Sequence, residues 1–336
     1  MNILVRGTNW IGDAVMTIPA VRKLRQLFPE ARLTLQTRES AKGILSQSAL
    51  FDEIVTPGAF FDQVSTLRKG RFDLAVIFPN SFSSALAVRM AGVRRSFGFA
   101  AERRSFLLTD PVAVPDWKDS RHEVYYYLEL IDAVERSYFN RVTETAHLEP
   151  RLAASGAHPA LNILRQSGVA GDLKIVALAP GSTNSRAKRW IPHRFAQLND
   201  RLQSELNCNV ILLGSRDDKE ISRTVSSLSR LRPYDLTGET DIEDATAILG
   251  EIDLLISNDM GLAHLAPAVG TDTLVIFGPT NQLTTRPFSD KAGIITADVE
   301  CSPCMLRDCP IDHRCMTRIS VEQVFERAKT ILNNED

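Results

Sequence analysis

No apolar run in the 336 residues approaches the roughly 20 that a membrane-spanning helix needs, and Arg6 interrupts the first apolar stretch where a secretion signal would continue. The chain is therefore expected to stay in the cytoplasm, a reading that leaves room for a substrate at a membrane surface. A basic excess is also missing. Lys and Arg number 39 against 41 Asp and Glu, for a formal charge of -2, so broad phosphate neutralisation is excluded, no nucleic acid partner is expected, and any anion site must be local. Of five cysteines, four crowd between Cys301 and Cys315, unlike the spread framework of a secreted disulfide protein; reduced thiols are expected. No G-K-[ST] follows the opening glycines, so there is no P-loop. Nor is there a G-x-G-x-x-G turn: the glycines are Gly7 and Gly12, and the second apolar stretch ends in Gln36, Thr37 and Arg38 rather than an acid, which argues against a nicotinamide dinucleotide.

What is present is a soluble composition, 44% hydrophobic and 24% charged, over a length that suits two ordinary domains. Short apolar runs alternate with amphipathic stretches. "NILVR", a helix from about Asp13 to Phe28, "ARLTLQT", a helix after Glu39, "DLAVIF" and another helix precede a long helix near "SRHEVYYYLELIDAVE". Strands separated by helices need crossover connections, so the sheet is mostly parallel and covered on both faces. The stretch "RQSGVAGDLK" loses periodicity and is read as the linker. A second alternation follows: "KIVALAP", a helix from Pro192, "NVILLG", a helix after Asp217, "DLLISN", a short helix after Asp259, and "TLVIFG". The fold class is α/β, with Rossmann-like domains at 1–167 and 174–318 and ligands expected at the carboxyl ends of the strands. A last helix, within 319–336, carries one apolar stripe at Val321, Val324, Phe325, Ala328 and Ile331/Leu332, without indicating what it covers.

Two stretches carry candidate chemistry. In the first, Gly12 and Asp13 stand where a strand runs into a helix; the acid is either favoured there by the helix dipole alone or placed for chemistry. In the second half, "APGSTNSRAKRW" sets Gly181, Ser182 and Thr183 after a strand and follows them with Lys188, Arg189 and Trp190. Hydroxyls and amides donate to a phosphate and lysine neutralises it, so this is the candidate anion site. "SNDMGLAHLAPAVG" then places Asp259 as an expected helix cap, Gly261 in the first turn and His264 one turn inside. His264 alone reads equally as a core histidine.

Taken together and in order, "WIGDAVMTIPAVRKLRQLFP", "APGSTNSRAKRW" with "PHRFAQL", "SNDMGLAHLAPAVGTDTLVIFGPT" and "CSPCMLRDCPIDHRCM" resemble the lipopolysaccharide heptosyltransferases of glycosyltransferase family 9. The resemblance runs through nearly the whole chain. It implies a GT-B fold, two Rossmann-like domains facing across a cleft, and an inverting, metal-independent transfer of L-glycero-D-manno-heptose from ADP-heptose to the first heptose of the inner core on Kdo-lipid A. The same resemblance leaves open another core position, or a nucleotide-sugar-binding homologue without transfer. By it, Asp13 matches the general base and Lys188 the lysine at the donor phosphates, both catalytic; Gly12, Ser182, Thr183, Asp259, Gly261 and His264 join Lys188 at the donor. Met260 stands where the family usually has a hydroxyl residue, so only its main-chain N–H can serve there. ADP-heptose is a substrate, no cofactor is implied, and the acceptor partner would sit at the inner face of the inner membrane. The chain has no D-x-D, so no metal site is expected.

For the acceptor, "RMAGVRRSFGFAAERRSF" offers Arg89, Arg94, Arg95, Arg103 and Arg104, of which Arg94 and Arg95 are taken as candidates together with Arg121 and His122 at the start of the long helix. Asp217, Asp218 or Glu220 is offered to the donor ribose. The loop "CSPCMLRDCPIDHRC" has cysteine spacing that could hold zinc through four thiolates or three with His313; local disulfides and packed free thiols are the alternatives.

Overall fold

The computed structural model describes residues 1–46, 48–153, 157–169 and 173–333; residues 170–172 of the expected linker and 334–336 of the last segment lie outside the described residues. The chain divides into two units, Met1–Leu152 and Ala153–Asp336. In the first, β1 (Asn2–Arg6), α1 (Ile11–Met16), α2 (Ile18–Leu27), β2 (Arg32–Gln36), α3 (Glu39–Leu45) and β3 (Glu53–Val55) precede α4 (Phe60–Gly70), β4 (Leu74–Ile77), α5 (Phe82–Ala91), β5 (Arg95–Phe99), β6 (Asp110–Val112) and α6 (Glu123–Phe139). The strands form one parallel sheet in the order β3-β2-β1-β4-β5-β6. Ile3, Leu4 and Val5 of β1 and all of β4 are buried, as expected of strands covered on both faces. On one face Leu4, Ala75 and Ile77 pack with Val64 and Leu67 of α4 and Val88 of α5.

The second unit repeats the plan with α7 (Ala157–Gln166), β7 (Ile175–Ala179), α8 (Pro192–Glu205), β8 (Asn209–Leu212), α9 (Lys219–Leu228), β9 (Tyr234–Asp235) and α10 (Ile242–Leu249), followed by β10 (Leu254–Asn258), α11 (Gly261–Ala268), β11 (Asp272–Ile276), α12 (Gln282–Thr285), β12 (Ala292–Ile295), α13 (Arg314–Thr317) and α14 (Val321–Asn333). Its parallel sheet runs β12-β11-β10-β7-β8-β9. Each sheet reverses its winding at one place, between β1 and β4 in the first unit and between β7 and β10 in the second. Crevices outside the carboxyl ends of such strand pairs are where open α/β sheets bind ligands.

Three local findings qualify the sequence reading. The helix expected from Asp13 to Phe28 is two helices that meet at Thr17, whose N–H donates to the carbonyls of both Asp13 and Ala14; Pro19 has no N–H to continue the first helix's ladder. Helix α7 lies before the expected linker yet packs on α10 and belongs to the second unit. The final helix buries Val324, Phe325, Ala328 and Leu332 against α8 and the adjoining sheet core, and the Arg201 guanidinium lies 3.8 Å over the Phe325 ring. Full burial of such a phenyl ring contributes roughly 1.5–3 kcal/mol. No described helix is long and apolar enough to cross a membrane.

Candidate functional site

At the reversal of the second sheet, β7 runs into Pro180, Gly181 and Ser182, and β10 into Asn258 and Asp259. Asn258 is fully buried: its Nδ2 donates to the carbonyls of Pro180 (2.8 Å) and Gly181 (3.1 Å), and its Oδ1 accepts from the Trp190 N–H (2.9 Å). One amide thereby fastens the end of β7 to the segment that carries Lys188. Trp190 is buried in the core and its indole N–H donates to the Ile319 carbonyl at 3.0 Å. The Arg189 guanidinium donates to the Ser182 carbonyl at 3.3 and 3.2 Å.

Lys188 itself reaches back. Its Nζ lies 2.7 Å from Asp259 Oδ2, with the lysine side chain 25% and the aspartate 5% exposed. The same oxygen accepts from the Thr280 hydroxyl at 2.6 Å. An almost buried carboxylate so holds a reachable ammonium in one place, ready to meet a solvent-borne anion. Asp259 is not the helix cap that the sequence suggested: Met260 is the N-cap of α11, its backbone extended and without a side-chain cap bond. The acid is turned away because Lys188 and Thr280 take its Oδ2. Gly261 opens α11, and His264, one turn on, is buried. Ser182 is buried and Thr183 exposed.

The cysteine loop wraps this segment. Arg307 accepts at its carbonyl from the Ala187 N–H (2.9 Å) and the Ser185 hydroxyl (3.1 Å), Asp308 pairs with Arg186 at 2.7 Å, and the His313 ring meets the Ala187 carbonyl. Main-chain N–H groups of Cys304 and Met305 donate to the Pro279 carbonyl, one residue before Thr280. All five cysteines are free thiols, and among the described residues no three His, Cys, Asp or Glu side chains gather as a metal site. The loop's evident work is to hold Ser185 to Lys188.

Two glycines have packing reasons. A Cβ on Gly181 would stand 2.2 Å from Asp218 Cγ, and one on Gly7 would stand 2.9 Å from Thr37 Oγ1, so the neighbouring side chains alone leave no room for a larger residue at either place. Asp218 is removed from the ribose candidates, because it is buried and its Oδ2 accepts from the N–H and hydroxyl of Ser215. Asp217 and Glu220 are exposed.

In the first unit, Gly12 and Asp13 lie in the first turn of α1, after the carboxyl end of β1. The charge of Asp13 is felt on α6. Burial pushes the Glu123 carboxyl up, Lys118 at 3.7 Å opposes it, and Asp13 adds to the rise; burial, then Asp13, push the Tyr127 phenol well above its ordinary value. His122 is buried and caps α6, its Nδ1 accepting from the Val124 N–H. Arg121 is exposed and lies 3.7 Å over the Tyr125 ring.

Arg94 and Arg95, taken above as acceptor ligands, are at the other end of the sheet. Arg95 opens β5, pairs with Asp110 and lies over Phe97 and Tyr138; Arg94, just before it, is 3.8 Å from Asp73. In a parallel sheet the start of one strand is on the edge opposite the carboxyl ends, so neither belongs with Asp13. Arg104 is fully buried and donates to the carbonyls of Phe99, Pro79 and Ser81. Asn258 and Thr280 carry no local motif; the signal for Asn258 is a polar pair, Ser257 and Asn258, closing the buried run Leu254–Ile256.

The chain is similar throughout to known glycosyltransferases. Over 311 residues it is 28% identical to lipooligosaccharide heptosyltransferase 2 of Haemophilus influenzae, covering 88% of each chain, and it is 26% identical to lipopolysaccharide heptosyltransferase 2 of Escherichia coli over the whole of both. The solved structure of E. coli ADP-heptose LPS heptosyltransferase II superposes with a TM-score of 0.86 at 26% identity, covering 100% of this chain and 99% of that one. A family 9 glycosyltransferase from Veillonella parvula, 20% identical with a TM-score of 0.85 and covering 99% of this chain and 97% of that one, shares the fold. The model of glycosyltransferase family 9 (heptosyltransferase) matches residues 62–314. With its two Rossmann-like units of the GT-B class, the chain belongs to glycosyltransferase family 9, the heptosyltransferases.

Proposed function

We propose that this enzyme moves L-glycero-D-manno-heptose from ADP-heptose onto the first heptose of the lipopolysaccharide inner core, with inversion at the anomeric carbon. The observation that carries the reading is the Lys188–Asp259 pair at the reversal of the second sheet, 2.7 Å apart and braced by Thr280, in a chain of this family. The acceptor hydroxyl oxygen forms the new bond to the anomeric carbon as the bond from that carbon to the ADP oxygen breaks. Asp13 takes the hydroxyl proton, and the departing electron pair leaves on the β-phosphate of ADP. Lys188 and the first N–H groups of α11, at Gly261 and Leu262, meet the charge that grows there. Met260 contributes through its main chain alone. Ser182 and Thr183 face the donor phosphates from the other strand end in this reading, and His264 supports the turn. Lys188 carries the charge that a divalent ion carries in other transferases, so neither metal nor cofactor is needed.

We place the enzyme in the cytoplasm, peripheral to the inner face of the inner membrane where its lipid-linked acceptor is presented. Support comes from the groove beside α4, where Phe61 (74% exposed) and Met90 (40%) lie among Arg68, Lys69 and Arg71, a mixture suited to anionic headgroups. Of the pair Arg121 and His122, the exposed Arg121 stays the acceptor candidate, whereas the His122 ring caps its own helix. ADP release from ADP-heptose, followed with and without heptosyl-Kdo-lipid A, tests the reading: release that requires the acceptor supports it, and acceptor-independent or absent release contradicts it.

A further inference from the structure

A half-buried arginine at the reversal of the first sheet is unused by this chemistry. Arg6 is the last residue of β1, in register with Gln36 on β2 and Ile77 on β4, and so borders the crevice between β1 and β4 where such sheets bind ligands. Its Nη1 donates to Gln36 Oε1, a neutral partner. No described carboxylate pairs with it, and its Nε is buried without an acceptor. Two neighbours share that condition: Gln36 Nε2 and Thr8 Oγ1 make no hydrogen bond, in side chains of residues only 1% and 5% exposed. Burial lowers the Arg6 guanidinium to about 10, with no charged neighbour acting against it.

A fully buried arginine, Arg104, shows what a structural role looks like. Arg104 has three main-chain carbonyls and the Asn80 side chain around its nitrogens. Arg6 has one amide. A buried cation left uncompensated costs stability, and buried polar groups are otherwise nearly always satisfied. Three donors in this state at one strand end, where a ligand is expected, make a place for an oxyanion.

We propose that Arg6, with Gln36 and Thr8, is a subsite that holds a carboxylate or phosphate group of the acceptor during glycosyl transfer. The proposal rests on the function given above, with the first unit taking the acceptor. A guanidinium fork suits either group, and charge-assisted hydrogen bonds of this kind correspond to roughly 10-fold to 100-fold in affinity.

The test pairs kinetics with a binding signal that needs no turnover. In the full-length enzyme, Arg6→Gln is expected to raise the KM for heptosyl-Kdo-lipid A about 10-fold to 100-fold, leave the KM for ADP-heptose unchanged, and leave the melting temperature equal or higher because an uncompensated charge has been removed. Arg6→Lys should recover part of the loss. Inorganic phosphate should shift the NMR signal of the Arg6 side-chain N–H, identified by its disappearance in Arg6→Gln. An unchanged acceptor KM, a rise confined to ADP-heptose, or a lowered melting temperature with both KM values intact would each overturn the subsite. Should the wild type transfer no heptose while phosphate still shifts the Arg6 signal, the anion site stands and the functional reading fails.

Discussion

Removing Lys188 should do two separable things, and the structure sets the size of each. Lys188→Ala leaves the carboxylate of Asp259, 5% exposed, with the Thr280 hydroxyl and no cation. Breaking a buried pair from one side costs about 3–5 kcal/mol and an exposed pair less than about 1. With the lysine a quarter exposed, about 2 kcal/mol of stability is expected to go. Loss of a charged contact to phosphate should also weaken ADP binding about 10-fold to 100-fold. Adding Asp259→Asn neutralises the stranded carboxylate, so the double variant should recover most of the stability and none of the ADP affinity. Asp259→Asn alone should weaken ADP binding less than Lys188→Ala does, since the ammonium remains but loses the carboxylate that positions it. Trp190, the tryptophan of the second unit, reports urea unfolding if Trp10 and Trp117 are replaced by phenylalanine, and calorimetry reports ADP affinity. A double variant as unstable as Lys188→Ala, or unaltered ADP affinity in both, would refute the reasoning.

Asp13→Asn should lower kcat by about 10²-fold to 10⁴-fold, the usual contribution of a general base, with ADP affinity unchanged by calorimetry; near-normal turnover would remove the base assignment. Lys23 is 4% exposed and 2.9 Å from the buried Glu135, so Lys23→Met should cost about 3–5 kcal/mol in urea unfolding. Although burial raises Glu135, its hydrogen bonds to Lys23 and Thr143 hold its carboxyl below the ordinary range, so this stabilisation is present at neutral pH and fades as pH falls through the lowered value. Glu123 has the opposite sign: its carboxyl is raised by burial, its ionisation opposes folding, and Glu123→Gln should raise the melting temperature at neutral pH with the gain vanishing below about pH 4. Thiol titration of unreduced protein is expected to find all five cysteines, elemental analysis no zinc, and EDTA no change in turnover; one zinc per chain or a magnesium-reversible inhibition would contradict this.

The alternation of strands and helices was legible because burial on both faces leaves continuous apolar runs such as "DLAVIF" and "DLLISN". The short edge strands β3 and β9 were not, since three and two residues carry no period. Lys188 and Asp259 were each singled out, but their pairing joins positions 71 residues apart, and no local pattern distinguishes an acid that caps a helix from one that grips a distant lysine. The arginines of 89–104 look alike in sequence. Strand direction separates them: Arg95 falls at the start of β5 and Arg104 after its end, and only the register of the sheet shows this. Nothing local in the sequence marks why Gly7 and Gly181 must lack a side chain, because the residues that crowd them, Thr37 and Asp218, come from other strand ends. The cysteine loop's grip on Ser185 and Ala187 likewise depends on contacts more than a hundred residues apart in sequence.

The most direct test of the account is mass spectrometry of the glycolipid after incubation of the purified enzyme with ADP-heptose and heptosyl-Kdo-lipid A. The acceptor is predicted to gain a single heptosyl residue, with one ADP released for each. An acceptor of unaltered mass, whether ADP-heptose survives or is hydrolysed, would contradict it.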